Sequence, residues 1–210
     1  RGRMRDYVSY SQYKIWSECA WRYKLQYVDN IKNFGGNEYT AFGTAIHDVC
    51  EKIAKEELSG PAHAKLLFST RFKKELDSLP EDYELNNKLL EQMKEQGTDL
   101  LPEIFPALKE YFGEYEVISA EEQIYVPIKE YTGSEHKFKG FIDLVIKTSD
   151  GKYHIIDWKT CSWGWDARKK SDKLIVYQLI FYKHYFALKH GIDPDNIETQ
   201  DVSYLDTTTT

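Results

Sequence analysis

The apolar positions change rhythm part-way along the chain. Up to about residue 113 they recur at helical spacing. Tyr13, Trp16, Ala20, Tyr23 and Tyr27 mark one helix over 9–28, which Ser9 or Ser11 can cap by accepting an orphan backbone N–H. Ile46, Val49, Cys50 and Ile53 mark the apolar face of a second helix over 43–58. The stretch 61–113 is expected to be mostly helical and broken at Pro80, Pro102 and Pro106, because proline removes a helical N–H and its ring clashes with the preceding turn. Beyond it the pattern turns to strands, expected at 116–129, 137–147 and 153–160. A helix over 172–189 and a last strand over 197–205 follow. Helices, a strand meander, a helix and a strand suggest one α/β domain with a mixed sheet.

The second and third strands flank Lys147-Thr148-Ser149-Asp150-Gly151-Lys152. A three-residue hairpin loop ends in a left-handed residue, usually glycine, and Ser149-Asp150-Gly151 fits. Thr148 then pairs with Lys152, and counting back along both strands sets Asp143 opposite Asp157. A two-residue loop would put them on opposite faces. Opposed side chains lie roughly 4.5–5.5 Å apart at Cβ, where like charges repel. The surrounding strand residues are apolar, so this pair calls for a cation. A hard divalent ion such as Mg²⁺, bound through oxygens, supplies one. Removing either carboxylate is expected to relieve the repulsion in the metal-free protein. Lys159 lies two residues after Asp157 and so shares its face.

The formal net charge is −6, whereas a protein that coats duplex DNA non-specifically is usually basic. Positive charge must therefore be confined to a groove. One basic cluster, Arg168, Lys169, Lys170 and Lys173, lies between the third strand and the following helix, just after Trp163 and Trp165. It fits two readings equally: a platform of rings and cations for unpaired bases and their phosphates, or a loop anchored by its tryptophans with solvated lysines. Cys19, Cys50 and Cys161 are widely spread and odd in number, which argues against a disulfide scaffold and a zinc site. A reducing intracellular, cytoplasmic setting is expected, with no membrane association, since no apolar run reaches spanning length and no secretory signal is visible.

Gly140-Phe141-Ile142-Asp143, Asp157-Trp158-Lys159 and Gln178-Leu179-Ile180-Phe181-Tyr182 resemble the motifs of the PD-(D/E)xK nuclease superfamily, and within it the RecB-like exonucleases. That branch also has an upstream helical histidine, matched by His47 in Gly43-Thr44-Ala45-Ile46-His47. Ser9-Tyr10-Ser11 to Cys19-Ala20-Trp21-Arg22-Tyr23 resembles its N-terminal helix, with Ala20 where proline is common. The resemblance leaves about residues 60–115 unmatched. It implies a restriction-endonuclease-like core, with a central mixed sheet flanked by helices. The expected layout is a single nuclease domain over 1–210: N-terminal helices with the histidine motif at 1–60, a helical insertion at 61–115, and the catalytic sheet and Gln-x-x-x-Tyr helix at 116–210.

By the same resemblance Asp143, Asp157, the Trp158 backbone carbonyl and His47 would hold Mg²⁺ or Mn²⁺, and imidazole suits Mn²⁺ better. Lys159 would hold the attacking water or stabilise charge developing on the phosphate. Gln178 and Tyr182, four residues apart, share a helix face; Gln178 would orient the nucleophile or Lys159, and Tyr182 would reach a phosphate. Glu122 is an accessory candidate on the preceding strand. Some relatives bind an iron–sulfur cluster through one cysteine near the N-terminus and three near the C-terminus. With no cysteine after Cys161, none is expected here. The expected activity is metal-dependent exonucleolytic hydrolysis of DNA, single-stranded or with free ends, in recombination, repair or phage DNA processing. The alternatives are a structure-specific endonuclease on the same fold and a catalytically weak DNA-binding subunit. No protein partner is identifiable.

Overall fold

The computed structural model describes residues 5–31, 35–129, 136–159 and 173–203, with the backbone alone at 173–175 and 201–203. Strand β1 (Tyr7–Ser9) leads into helices α1 (Tyr10–Glu18) and α2 (Ala20–Tyr23), then a wide π-turn (Lys24–Val28). Helices α3 (Glu38–Ala54), α4 (Pro61–Asp77) and α5 (Asn87–Phe112) precede strands β2 (Tyr115–Pro127), β3 (Lys137–Thr148) and β4 (Tyr153–Lys159). Helix α6 (Lys173–His190) and strand β5 (Ile197–Ser203) complete the order. Among the described residues no helix is long and apolar enough to cross a membrane.

β3 is the centre of the sheet. β2 runs antiparallel along one whole edge of it. The other edge is shared, by β1 in parallel at Lys137–Lys139 and by β4 antiparallel at Leu144–Lys147. β5 pairs in parallel with β4, so the sheet is mixed as expected. Helices cover both faces. Ala45, Ile46, Val49 and Cys50 of α3, Phe68 and Phe72 of α4, and Leu101, Ile104 and Leu108 of α5 form one core with Leu144, Ile146, Ile156 and Trp158. Tyr182, Tyr185 and Phe186 of α6 form the other with Ile124, Phe138, Ile142, Val145 and Ile155.

Three elements depart from the sequence expectation. The first helix breaks at Cys19, whose extended backbone (φ −162°) lets its thiol accept from Arg22 N. α3 begins earlier, because Asn37 accepts from Thr40 N while Thr40 Oγ1 accepts from Asn37 N. α5 runs unbroken through Pro102 and Pro106. Its buried stripe of Leu90, Met93, Gly97, Leu101, Ile104 and Leu108 is continuous across both prolines, and that packing outweighs a cost of about 3 kcal/mol per proline.

The faces of β3 reverse once. Phe138 and Ile142 enter the α6 core, yet Leu144 and Ile146 enter the opposite one. Strict alternation would keep these even positions together. On β2, Ile124 and Ala120 part in the same way. Between the two halves lie Asp143 on β3 and Glu121 on β2, and Glu121 has the left-handed φ of 50°. Such a backbone costs a glutamate on the order of 1–3 kcal/mol.

Candidate active site

The hairpin sets the register. Thr148 N donates to Lys152 O at 3.0 Å, and Gly151 takes φ 85°. Leu144 pairs with Ile156, as counted from the three-residue loop, and the paired ladder ends there. Antiparallel hydrogen-bonded pairs alternate, so Ile142 and Trp158 should be the next such pair. Trp158 N instead donates to Asp143 Oδ2 at 2.7 Å. A side chain takes the place of a strand, and β3 and β4 part at the two aspartates. Trp158 is fixed from behind by its buried ring, 6.2 Å from that of Phe105 on α5.

The two carboxylates turn to different partners. Asp143 Oδ1 lies 3.4 Å from His47 Nδ1. His47 Nε2 is 3.0 Å from Trp158 O, and since a carbonyl only accepts, Nε2 carries the hydrogen. A neutral His47 therefore aims the Nδ1 lone pair at a carboxylate. That contact is stable only when a proton or a cation lies between. Burial works against a charged ring, but the Asp143 hydrogen bond and the Asp143, Asp157 and Glu121 charges outweigh it and raise the His47 pKa. Glu121 completes the group: ligand atoms of His47, Glu121 and Asp143 all lie within 4.8 Å of one another. Burial, then the Asp143 and Glu51 charges, raise the Glu121 pKa, and a cation would relieve that repulsion. Two hard oxygens and one imidazole nitrogen fit a divalent metal such as Mn²⁺ or Mg²⁺.

Asp157 faces the other way. It forms an ion pair with Lys159 and accepts from Gln178 Nε2 at 3.3 Å. Lys159 Nζ donates to Gln178 Oε1 at 2.9 Å, which fixes the amide orientation, because an ammonium only donates. Gln178 Nε2 also donates to the Tyr182 hydroxyl at 3.2 Å. Tyr182 is buried and burial raises its pKa strongly, so its hydroxyl stays protonated. Gly140 admits its ring, since a Cβ there would stand 2.8 Å from Tyr182 Cε1.

Glu122, the accessory candidate, lies elsewhere. It accepts from Lys189 Nζ and Ser119 Oγ, each at 2.7 Å, and contacts His190. Burial raises its pKa, but these partners outweigh that and hold it low. Glu121 takes the place beside the site, and alternation carries the signal: Glu122 shares the side of Ile124, whereas Glu121 shares that of Gln123 and Tyr125. Trp163, Trp165, Arg168, Lys169 and Lys170 lie outside the described residues, as does the side chain of Lys173.

The family model for the PD-(D/E)XK nuclease superfamily matches residues 7–208. The chain belongs to that superfamily. Its members are metal-dependent nucleases, and the mixed sheet flanked by helices agrees with their restriction-endonuclease-like fold. No curated protein matches the chain. Membership in that superfamily makes the chain a nuclease. It also makes nucleic acid the substrate class.

Two results follow for metal binding. His47→Ala and Glu121→Gln should each weaken Mn²⁺ binding by roughly 10- to 100-fold, read by titration calorimetry. An unchanged titration for Glu121→Gln would leave its strained backbone without a ligand role. Because a proton on His47 Nδ1 competes with a cation, affinity should fall as pH drops through the raised His47 pKa; a pH-independent affinity would separate His47 from the metal.

Proposed function

We propose that this PD-(D/E)XK nuclease is a DNA exonuclease of the RecB-like kind, which trims single-stranded DNA from free ends with Mg²⁺ or Mn²⁺. One observation carries the reading. At the point where β3 and β4 part, a donor set of His47, Glu121 and Asp143 stands beside the linked group of Asp157, Lys159, Gln178 and Tyr182. A divalent cation held by the first group supplies a Lewis acid for the phosphoryl oxygen and lowers the pKa of a water. Asp157 and Gln178 hold the Lys159 ammonium in place, where it can stabilise charge developing on the phosphate. Trp158 O orients the His47 ring, and Tyr182 orients Gln178.

The preference for ends is supported by the helical insertion. A cavity of about 380 Å³ beside His47 is lined by Thr44, Asp48 and Glu51 of α3, by Glu121, and by Arg71 of α4. Arg71 of the insertion thus lines the same cavity as His47 and Glu121. Digestion of end-labelled linear and closed circular single-stranded DNA tests the reading. Linear DNA should be degraded and circles should persist. Rapid cutting of circles under the same conditions would make the enzyme an endonuclease, and full activity in excess EDTA would remove the metal from the mechanism.

A further inference from the structure

A second feature leads to the same centre from the far end of β3. Phe138, Gly140 and Ile142 face α6, so Lys137, Lys139 and Phe141 face away from it. Asp143 continues that row and meets His47 of α3. The neighbouring strands add rings to the row. Tyr125 of β2 is the register partner of Lys139, and Tyr7 of β1 is the partner of Lys137.

The row is neither apolar core nor an ordinary charged face. Phe141 is 45% exposed and Tyr125 38%. Lys137 Nζ lies 4.4 Å from the Tyr125 ring centre, and Lys139 Nζ lies 4.7 Å from that of Tyr7. Arg5 extends the pattern, 5.2 Å above the Tyr27 ring. Asp6 is an acid against these rings and accepts from the Tyr125 hydroxyl at 2.7 Å. Cations and exposed rings thus alternate on one sheet face of a protein whose net charge is −6. The row ends at a candidate metal centre, and from Lys137 to Asp143 it spans about 20 Å at strand rise.

We propose that this face of β1, β2 and β3 is the track for an unpaired DNA strand, with Lys137 and Lys139 on its phosphates and Phe141, Tyr125 and Tyr7 under its bases. The inference rests on the nuclease reading and adds the path by which the strand reaches Asp143. Rings with cations between them suit single strands, because every base has a face to stack and every linkage carries a charge. A duplex hides the base faces and should use the lysines but not the rings. The path runs on the side of β3 that faces away from the α6 core, where Phe141 and Tyr125 are exposed.

The test is anisotropy of a labelled oligothymidylate, with Ca²⁺ supplied and intact substrate verified on a gel. Wild-type protein is compared with Lys137→Ala/Lys139→Ala, with Phe141→Ala and with Tyr125→Ala. Lys109→Ala, an exposed lysine at the end of α5, is the control. The double lysine variant should flatten the slope of log affinity against log salt by about 0.7 for each lysine. Each ring variant should lose roughly five- to 150-fold in single-strand affinity and little in affinity for a duplex of the same length. Thermal melts check that the variants remain folded. Single-strand affinities within twofold of wild type, while the wild type cuts DNA, would overturn the track and leave the nuclease reading standing. A ring effect equal on duplex and single strand would overturn base stacking. A wild type that neither binds nor cuts DNA would overturn the nuclease reading itself.

Discussion

Asp143→Asn should leave a folded protein with no detectable metal-dependent cleavage. Asp143 has two tasks, and the substitution separates them. Its Oδ2 accepts the buried Trp158 N–H, which closes the gap where the β3–β4 ladder stops. An asparagine oxygen can still accept that bond. Its charge, beside the Glu121 carboxylate and the His47 imidazole, would attract a cation, and asparagine has none. Loss of rate should be at least as large as the roughly 10²- to 10³-fold lost with a single transition-state donor. Asp143→Ala should also lose about 1–3 kcal/mol of stability, because it leaves the Trp158 N–H buried without an acceptor. This inverts the expectation from charge repulsion alone, under which removing the carboxylate would stabilise the metal-free protein. Chemical denaturation of both variants without metal, beside digestion assays with Mn²⁺, distinguishes the two tasks. An active Asp143→Asn would dismiss the charge; equal stabilities would dismiss the strand-bridging bond.

How far the sequence carried this site can be judged at particular residues. Gly151 fixed the loop length, and with it the pairing that brings Asp143 and Asp157 to one place, because a left-handed turn position is a local property. The helix face of Gln178 and Tyr182 was equally local. Glu121 was legible only in part. Alternation from Ile124 puts it on the face opposite Glu122, but unbroken alternation would keep Asp143 with Val145 on the α6 side; β2 and β3 reverse their faces together at Glu121 and Asp143, a change made between two strands and two cores. The divergence of the two carboxylates depends on the same event: Asp143 turns to the α3 side and Asp157 to the α6 side. The prolines of α5 fail to stop the helix for a related reason. Their local cost is real, but a stripe of six buried residues decides whether the helix continues, and that stripe is defined only by what covers it. Local turn chemistry is written in neighbouring residues; the seam that forms the candidate metal group arises from packing at a distance.

Lys159→Ala should slow turnover severely while leaving metal affinity nearly intact. The ammonium stands between Asp157 and Gln178 and does not belong to the group of His47, Glu121 and Asp143. Its removal therefore need not disturb the cation. In the ground state it neutralises a buried carboxylate; as the phosphate gains charge, it can also stabilise that charge. Only the second interaction strengthens along the reaction, so the loss should fall on kcat, by about 10²- to 10³-fold, with little change in KM. Stability should fall too, because Asp157 is left buried without its cation. The fall should be smaller than the roughly 3–5 kcal/mol of breaking a fully buried pair, since the Lys159 side chain is 26% exposed and water can reach the site. Single-turnover rates, metal titrations and melts on the same preparation distinguish the outcomes. A rise in KM with kcat unchanged would make Lys159 a phosphate grip. A parallel loss of metal affinity would mean that the lysine holds the hairpin itself in shape, and that its effect on rate comes through Asp157.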